Sequence, residues 1–145
     1  MSLFHTLSVC ASGMAAQRVR AEYLVENLAN AETTRTPEGG PYRRRDVIFE
    51  SGGAVTPFGA VFAAELEEPY TGVHVAEVRI DDREPDRRYV PGHPDADERG
   101  YVAFPRLNPA EEMVDLLSAT RGYQANVAAM SAVKEMIVKS IDLMR

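Results

Sequence analysis

The chain has a single cysteine, Cys10, in 145 residues, which excludes an internal disulfide and leaves the fold to be held by packing. Long apolar runs are missing as well. Hydrophobic residues make up 45% of the chain and charged residues 26%, but no stretch approaches the roughly 20 apolar residues that a bilayer-spanning helix needs, so membrane insertion is not expected. The first basic residue, Arg18, comes too late for the start of a secretion signal, and His5, Thr6 and Ser8 interrupt the apolar run before it. No cleavable signal is expected, and the same defects weigh against reading Leu7-Ser8-Val9-Cys10 as a lipoprotein site. There is no phosphate loop, no GxSxG and no GxGxxG, and His5 and His74 lack neighbours suited to nucleophilic catalysis. Enzymatic activity is unsupported, and no cofactor or catalytic residue is expected. The one cluster of metal-ligand types, His93-Pro94-Asp95-Ala96-Asp97-Glu98, fits neither a calcium loop nor a helical zinc pair and reads as a solvated acidic turn. An excess of positive charge is absent too. The net charge is -6, with 11 acids against 6 bases in residues 61–108 and an even balance over the first 60, so nucleic acid is not an expected partner.

What is present is heptad spacing at both ends. Apolar or small residues recur at Leu3, Leu7, Cys10, Met14, Ala21, Leu24 and Leu28, with one polar lapse at Gln17. The same spacing runs through Met113, Leu116, Tyr123, Val127, Met130, Ile137, Ile141 and Met144, with lapses at Thr120 and Lys134. Asn108 can cap the second segment, Pro109 suits its first turn, and Glu111 completes the cap. Further apolar residues lie off the seam at Phe4, Val9, Val19, Tyr23 and Val25, and at Val114, Leu117, Val133, Val138 and Leu143. Apolar residues on several sides of a helix imply neighbours on several sides, which a chain long enough for one domain does not itself provide.

Between these segments, residues 31–108 hold eight of the nine prolines and most of the acids. TPEGGP at 36–41 is turn chemistry, and DVIFE, GVHVAEVRID and GYVAF are short β-branched stretches. In the second stretch the alternation slips phase between Val75 and Val78, which predicts a bulge near Ala76 or burial of both faces. Arg43-Arg44-Arg45 is either a basic patch for the acidic region of another copy or a charged strand edge. The expected fold is mainly α with a small β-rich insert, the terminal helices packing as a coiled-coil-like pair.

Several stretches carry a resemblance to a known family: MSLF, NLANAETTRTPEGGPYRRRDVIFE at 27–50, GVHVAEVRID at 72–81, YVPGHPDADERGYVAFP at 89–105 and NPAEEMVDLLSATRGYQANVAAMSAVKEM at 108–136. They resemble the flagellar axial proteins, with GGPYRRR and HPDADERGYV pointing to a member of the proximal rod. The resemblance implies a noncatalytic subunit of the bacterial basal-body rod, in which residues 1–30 and 109–145 form a helical axial core and 31–108 an outer β-rich insert. It implies assembly with other copies of the chain, other proximal rod proteins, the distal rod protein and the MS-ring/rod junction protein. Export through the flagellar apparatus, torque transmission and a place on the rod spanning the periplasm are implied as well. The residues expected at the assembly interface are Leu3, Leu7, Met14, Leu24, Asn27, Leu28, Asn30, Met113, Leu116, Tyr123, Asn126, Val127, Met130, Ile137 and Ile141. Asn27 and Asn126 are expected to bond across the helix junction and Asn30 to end the first helix. A soluble helical adaptor binding one partner helix, or a different proximal rod component, is the competing reading.

Overall fold

In a computed structural model that describes residues 3–52 and 72–143, helix α1 (Leu3–Ala29) opens the chain and helix α2 (Pro109–Asp142) closes it. The remainder of the insert and the expected helix-end residues Met144 and Arg145 lie outside the described residues. At 1.5 Å per residue the helices run about 40 and 50 Å. The start of α2 follows from its cap. Asn108 is extended (φ -110, ψ 111), its Oδ1 accepts from the Ala110 N–H at 3.1 Å, and its amide nitrogen donates to Glu111 Oε1 at 3.1 Å. Pro109 stands where a missing N–H leaves no bond unmade, and Glu111 and Glu112 face the positive helix end.

The insert holds two antiparallel hairpins: β1 (Arg45–Ser51) with β2 (Val73–Ile80), and β3 (Asp86–Tyr89) with β4 (Tyr101–Phe104). In the first, Ile48 pairs with Glu77 and Phe49 with Val75, so Ala76 is the extra residue of a bulge. That bulge shifts the side-chain phase and leaves Val73, Val75 and Val78 half-buried, while Ile80 at the end of the shifted run is exposed. β3 carries no strand signal in its sequence: all four residues of Asp86-Arg87-Arg88-Tyr89 are exposed, and nothing in them alternates apolar with polar.

α1 is the central element, with α2 against one side and the β1–β2 hairpin against another. The helices are antiparallel. Gly13 faces Asn126, Gln17 faces Gly122 and Asn27 meets Glu112, so each advance along α1 is matched by an equal retreat along α2. The hairpin lies lengthwise on α1, because Arg45 is bonded to Asn27 at one end and the Val73 N–H donates to Ser12 Oγ at 3.1 Å at the other. The helix rise from Ser12 to Asn27 is about 22 Å and the length of β1 about 23 Å, so the two elements match. A lone two-stranded hairpin is marginal in water, and α1 supplies the surface it needs.

The seam on α2 differs from the expected one. Glu112, Ala119 and Val133 are buried and Leu116, Gly122, Asn126, Met130 and Ile137 half-buried, whereas Met113, Thr120, Tyr123, Val127, Lys134 and Ile141 are exposed. Only Leu116, Met130 and Ile137 belong to both sets. Large side chains at the expected positions would hold the helices apart, while Ala119 and Gly122 allow close approach. On α1 the expected Cys10 and Leu24 are buried, Leu7, Met14, Gln17, Ala21 and Leu28 are half-buried, and Leu3 is exposed.

Candidate assembly interface

Where α1, α2 and β1 converge, a polar network occupies the place a hydrophobic plug would normally take. Asn27 is fully buried and every hydrogen-bonding valence of its amide is used. Its nitrogen donates to the Arg45 carbonyl at 2.9 Å and to Glu112 Oε2 at 3.0 Å. Its oxygen accepts from the Tyr42 hydroxyl at 2.9 Å and from the Arg45 N–H at 3.0 Å. Glu112, 2% exposed, also accepts from Arg44 Nε, and Asp46 and Asp115 stand near the same guanidinium. Burial works against the Arg44 charge, but the hydrogen bond and charge of Glu112, with Asp46 and Asp115 behind it, outweigh this and raise its pKa. Burial, reinforced by the Glu26 charge, pushes the Tyr42 phenol up to about 12. A buried carboxylate and amide are tolerable because each is paired.

The loop from Asn30 to Arg45 delivers Tyr42 and the arginines to this point. Asn30 stands just beyond the last residue of α1 and ties off its end: its side-chain nitrogen donates to the Glu26 carbonyl at 2.9 Å, and its Oδ1 accepts from the Thr33 hydroxyl at 3.1 Å. Thr36 and Gly40 close a turn, in which Gly39 and Gly40 take φ of 92° and 78°, and the Tyr42 N–H returns to the Thr33 carbonyl at 3.0 Å. The three arginines then diverge. Arg43 pairs with the exposed Asp82 at 3.0 Å, Arg44 turns inward to Glu112, and Arg45 pairs with Glu26 at 2.8 Å while lying over the Tyr42 ring. Arg44 and Arg45 thus fasten the insert to the two helices, while Arg43 pairs within the insert. The acidic turn after β3 is held within the insert itself. Asp95 accepts from the Thr34 hydroxyl at 2.8 Å and pairs with Arg35, and Asp97 accepts from the Tyr101 and Arg99 N–H groups, which lowers its pKa. Among the described residues no group of three or more His, Cys, Asp or Glu is placed to hold a metal ion, and no helix is long and apolar enough to cross a membrane.

Asn27 and Asn126 do not bond to one another. Asn126 donates to the Gly122 carbonyl of its own helix at 2.9 Å and fills the space above Gly13, while Asn27 bonds across the helix pair to Glu112. The expected interface residues therefore divide. Leu24 and Asn27 are buried within the chain, and Leu7, Met14, Leu28, Asn30, Leu116, Asn126, Met130 and Ile137 are half-buried. Leu3, Met113, Tyr123, Val127 and Ile141 face outward. They are joined there by Phe4, Val25, Val114, Leu117, Met136, Val138 and Leu143, so α2 is apolar well beyond the side that α1 covers.

Comparison with known proteins bears on this surface. Residues 98–143, which take in β4, the Asn108 cap and α2, match the family model described as flagellar basal body rod FlgEFG protein C-terminal. Over essentially its whole length the chain is similar to proteins named flagellar basal-body rod protein FlgC. It is 41% identical to that of Bacillus subtilis over 150 residues, covering 99% of each chain. It is 37% identical to that of Borreliella burgdorferi over 152 residues, covering 100% of this chain and 99% of the relative, and 38% identical to that of Salmonella typhimurium over 144 residues, covering 99% and 98%. The chain belongs to the FlgC family. Within this FlgC chain, Asn27 and Asn30 come from the NLAN stretch and Tyr42 to Arg45 from the GGPYRRR stretch that carried the resemblance. Sequence reasoning missed Glu112 and Tyr42 as the partners of Asn27. Glu112 looked like one of two acids in a helix first turn, and only its spacing of four from Leu116 and seven from Ala119 marked it as inward-facing.

Proposed function

We propose that the chain is a structural, noncatalytic subunit of the bacterial flagellar rod, located in the basal body, whose two terminal helices pack against those of neighbouring subunits. The observation that carries this reading is the apolar surface of α2 on the sides that α1 leaves uncovered, from Met113 and Val114 to Val138 and Ile141. A helix apolar on several sides is stable when several sides are occupied. In this reading residues 1–30 and 109–145 form the axial core of a tubular shaft, pairing as a coiled-coil-like unit, and 31–108 form its outer layer. Leu3, Met113, Tyr123, Val127 and Ile141 meet neighbours directly. Leu7, Met14, Leu24, Asn27, Leu28, Asn30, Leu116, Asn126, Met130 and Ile137 act by fixing the helix pair that presents them. Neighbours are further copies of the chain and other rod components, and the shaft carries torque and encloses the export path.

Isolation of hook–basal bodies tests the reading. The chain is expected to co-purify with them at the level of the rod, and a strain lacking it is expected to build no rod beyond that level. Recovery as a soluble cytoplasmic monomer or dimer, in amounts unaffected by loss of flagellar export, would instead indicate an adaptor.

A further inference from the structure

Two exposed stripes, one on each helix, share the same heptad spacing. On α1 it runs in steps of four and three from Phe4 through Ala15 to Glu22 and Val25, and every position in the series is exposed. On α2 the same steps run from Leu117 and Arg121 through Ala128 to Val138, again exposed throughout. Both stripes have large apolar residues at their ends and alanine at their centre. At roughly 100° per residue, the α2 stripe lies on the side opposite Glu112, Ala119 and Asn126, and the α1 stripe lies nearly opposite the side that meets α2. The β1–β2 hairpin covers a third side of α1.

We propose that the α1 stripe of one copy seats against the α2 stripe of a second copy, antiparallel and centred on Ala15 against Ala128. This rests on the rod-subunit reading and names one of its contacts. The antiparallel alignment sets Val25 against Leu117, Phe4 against Val138, Arg18 against the uncharged Gln124 and Glu22, which also pairs with Arg18 of its own helix at 3.5 Å, against Arg121. A parallel alignment about the same centre sets Glu22 against Glu135, and like charges in an interface select against it. The alanines at the centre allow the helix axes to approach where the larger end residues interdigitate. Because α1 and α2 are antiparallel within each copy, this contact keeps all copies pointing the same way. Each copy offers one stripe to each side, so the contact is head-to-tail and open-ended. Ala15 is level with Gln124 of its own chain but meets Ala128 of the next, an offset of four residues or about 6 Å along the axis, so successive copies climb instead of closing into a flat ring.

The test exchanges the charges in the full chain, in flagellated cells. Glu22→Arg alone and Arg121→Glu alone are each expected to lower the number of assembled rods at least about tenfold, the effect of 1.4 kcal/mol, and the doubly exchanged chain to recover them. In isolated basal bodies carrying both Ala15→Cys and Ala128→Cys, an added thiol oxidant is expected to yield a ladder of linked copies that neither single substitution gives. Rods that assemble normally but give no ladder, or that link the chain to a different protein, overturn this contact and leave the rod reading intact. Failure of the charge exchange to restore assembly overturns it as well, and that arm decides if the cysteine variant does not assemble. Absence of the unsubstituted chain from basal bodies refutes the rod reading itself, and this contact with it.

Discussion

Replacing Asn27 by aspartate changes one NH2 group to an oxygen and leaves the side-chain shape almost untouched, so its effect isolates the electrostatics of the junction. The two donors that serve the Arg45 carbonyl at 2.9 Å and Glu112 Oε2 at 3.0 Å are lost, and a second negative charge is placed beside Glu112. Two unit charges 3 Å apart repel by about 5 kcal/mol at an effective dielectric constant near 20. Arg44 and Arg45 offset part of this, so a net loss of about 3–5 kcal/mol at pH 7 is expected, against a typical domain stability of ~5–15 kcal/mol. The introduced carboxyl has its folded-state pKa raised by Glu112 above its unfolded value. The folded variant therefore takes up a proton first as pH falls, and the variant recovers stability relative to the unsubstituted chain between pH 7 and about 5. Asn27→Ala serves as the comparison: it leaves the Arg45 backbone groups and the Tyr42 hydroxyl unpaired, costing about 2–4 kcal/mol without that recovery. Urea unfolding followed by far-ultraviolet circular dichroism at pH 7 and pH 5 measures both. An Asn27→Asp chain within about 0.5 kcal/mol of the unsubstituted protein at pH 7, or equally weakened at both pH values, would refute the network as described.

Three further outcomes follow from single contacts. Gly13→Ala places a Cβ 2.9 Å from Asn126 Oδ1 and is expected to destabilise the chain despite alanine's better helix propensity; pairing it with Asn126→Ala should bring the urea midpoint back. The Tyr42 phenol, pushed up to about 12, is expected to ionise last when absorbance at 295 nm is followed against pH, with Tyr42→Phe removing that step. Since its folded pKa lies above the unfolded value near 10, its contribution is complete below about pH 10 and is lost as pH rises towards 12. Asp81, held down to about 2 chiefly by its hydrogen bond from Arg83, is expected to move up towards the ordinary carboxylate range in Arg83→Ala, as read from its side-chain chemical shifts in a pH titration.

The elements that the sequence announced were those whose signal is local. The Asn108-Pro109-Glu111 cap and the Ala76 bulge depend on residues a few positions apart, and both stand where their chemistry put them. The α2 seam depends on the other helix, and heptad spacing alone did not separate the two sides. Met113, Tyr123 and Val127, expected at the assembly interface, are exposed in the single chain, and the contact with α1 is made through Ala119, Gly122 and Asn126, whose small or polar side chains permit close helix approach. The junction was half legible. Asn27 drew attention as an asparagine at a helix end, but its partners lie 15, 18 and 85 positions away and have no periodic signature. Placement also changes what a substitution tests: Leu24 is buried within the chain, so Leu24→Asp reports on folding, whereas Leu117→Asp, on an exposed face, reports on assembly.

Hydrogen exchange on α2 tests most directly the claim that this helix is completed by its neighbours. In the isolated chain, amides from Tyr123 to Asp142, flanked by α1 alone, are expected to exchange well before those of α1 near Asn27, and to become protected in purified basal bodies. Equal and slow exchange along both helices in the dilute, unassembled protein, with no further protection in the rod, would contradict the account.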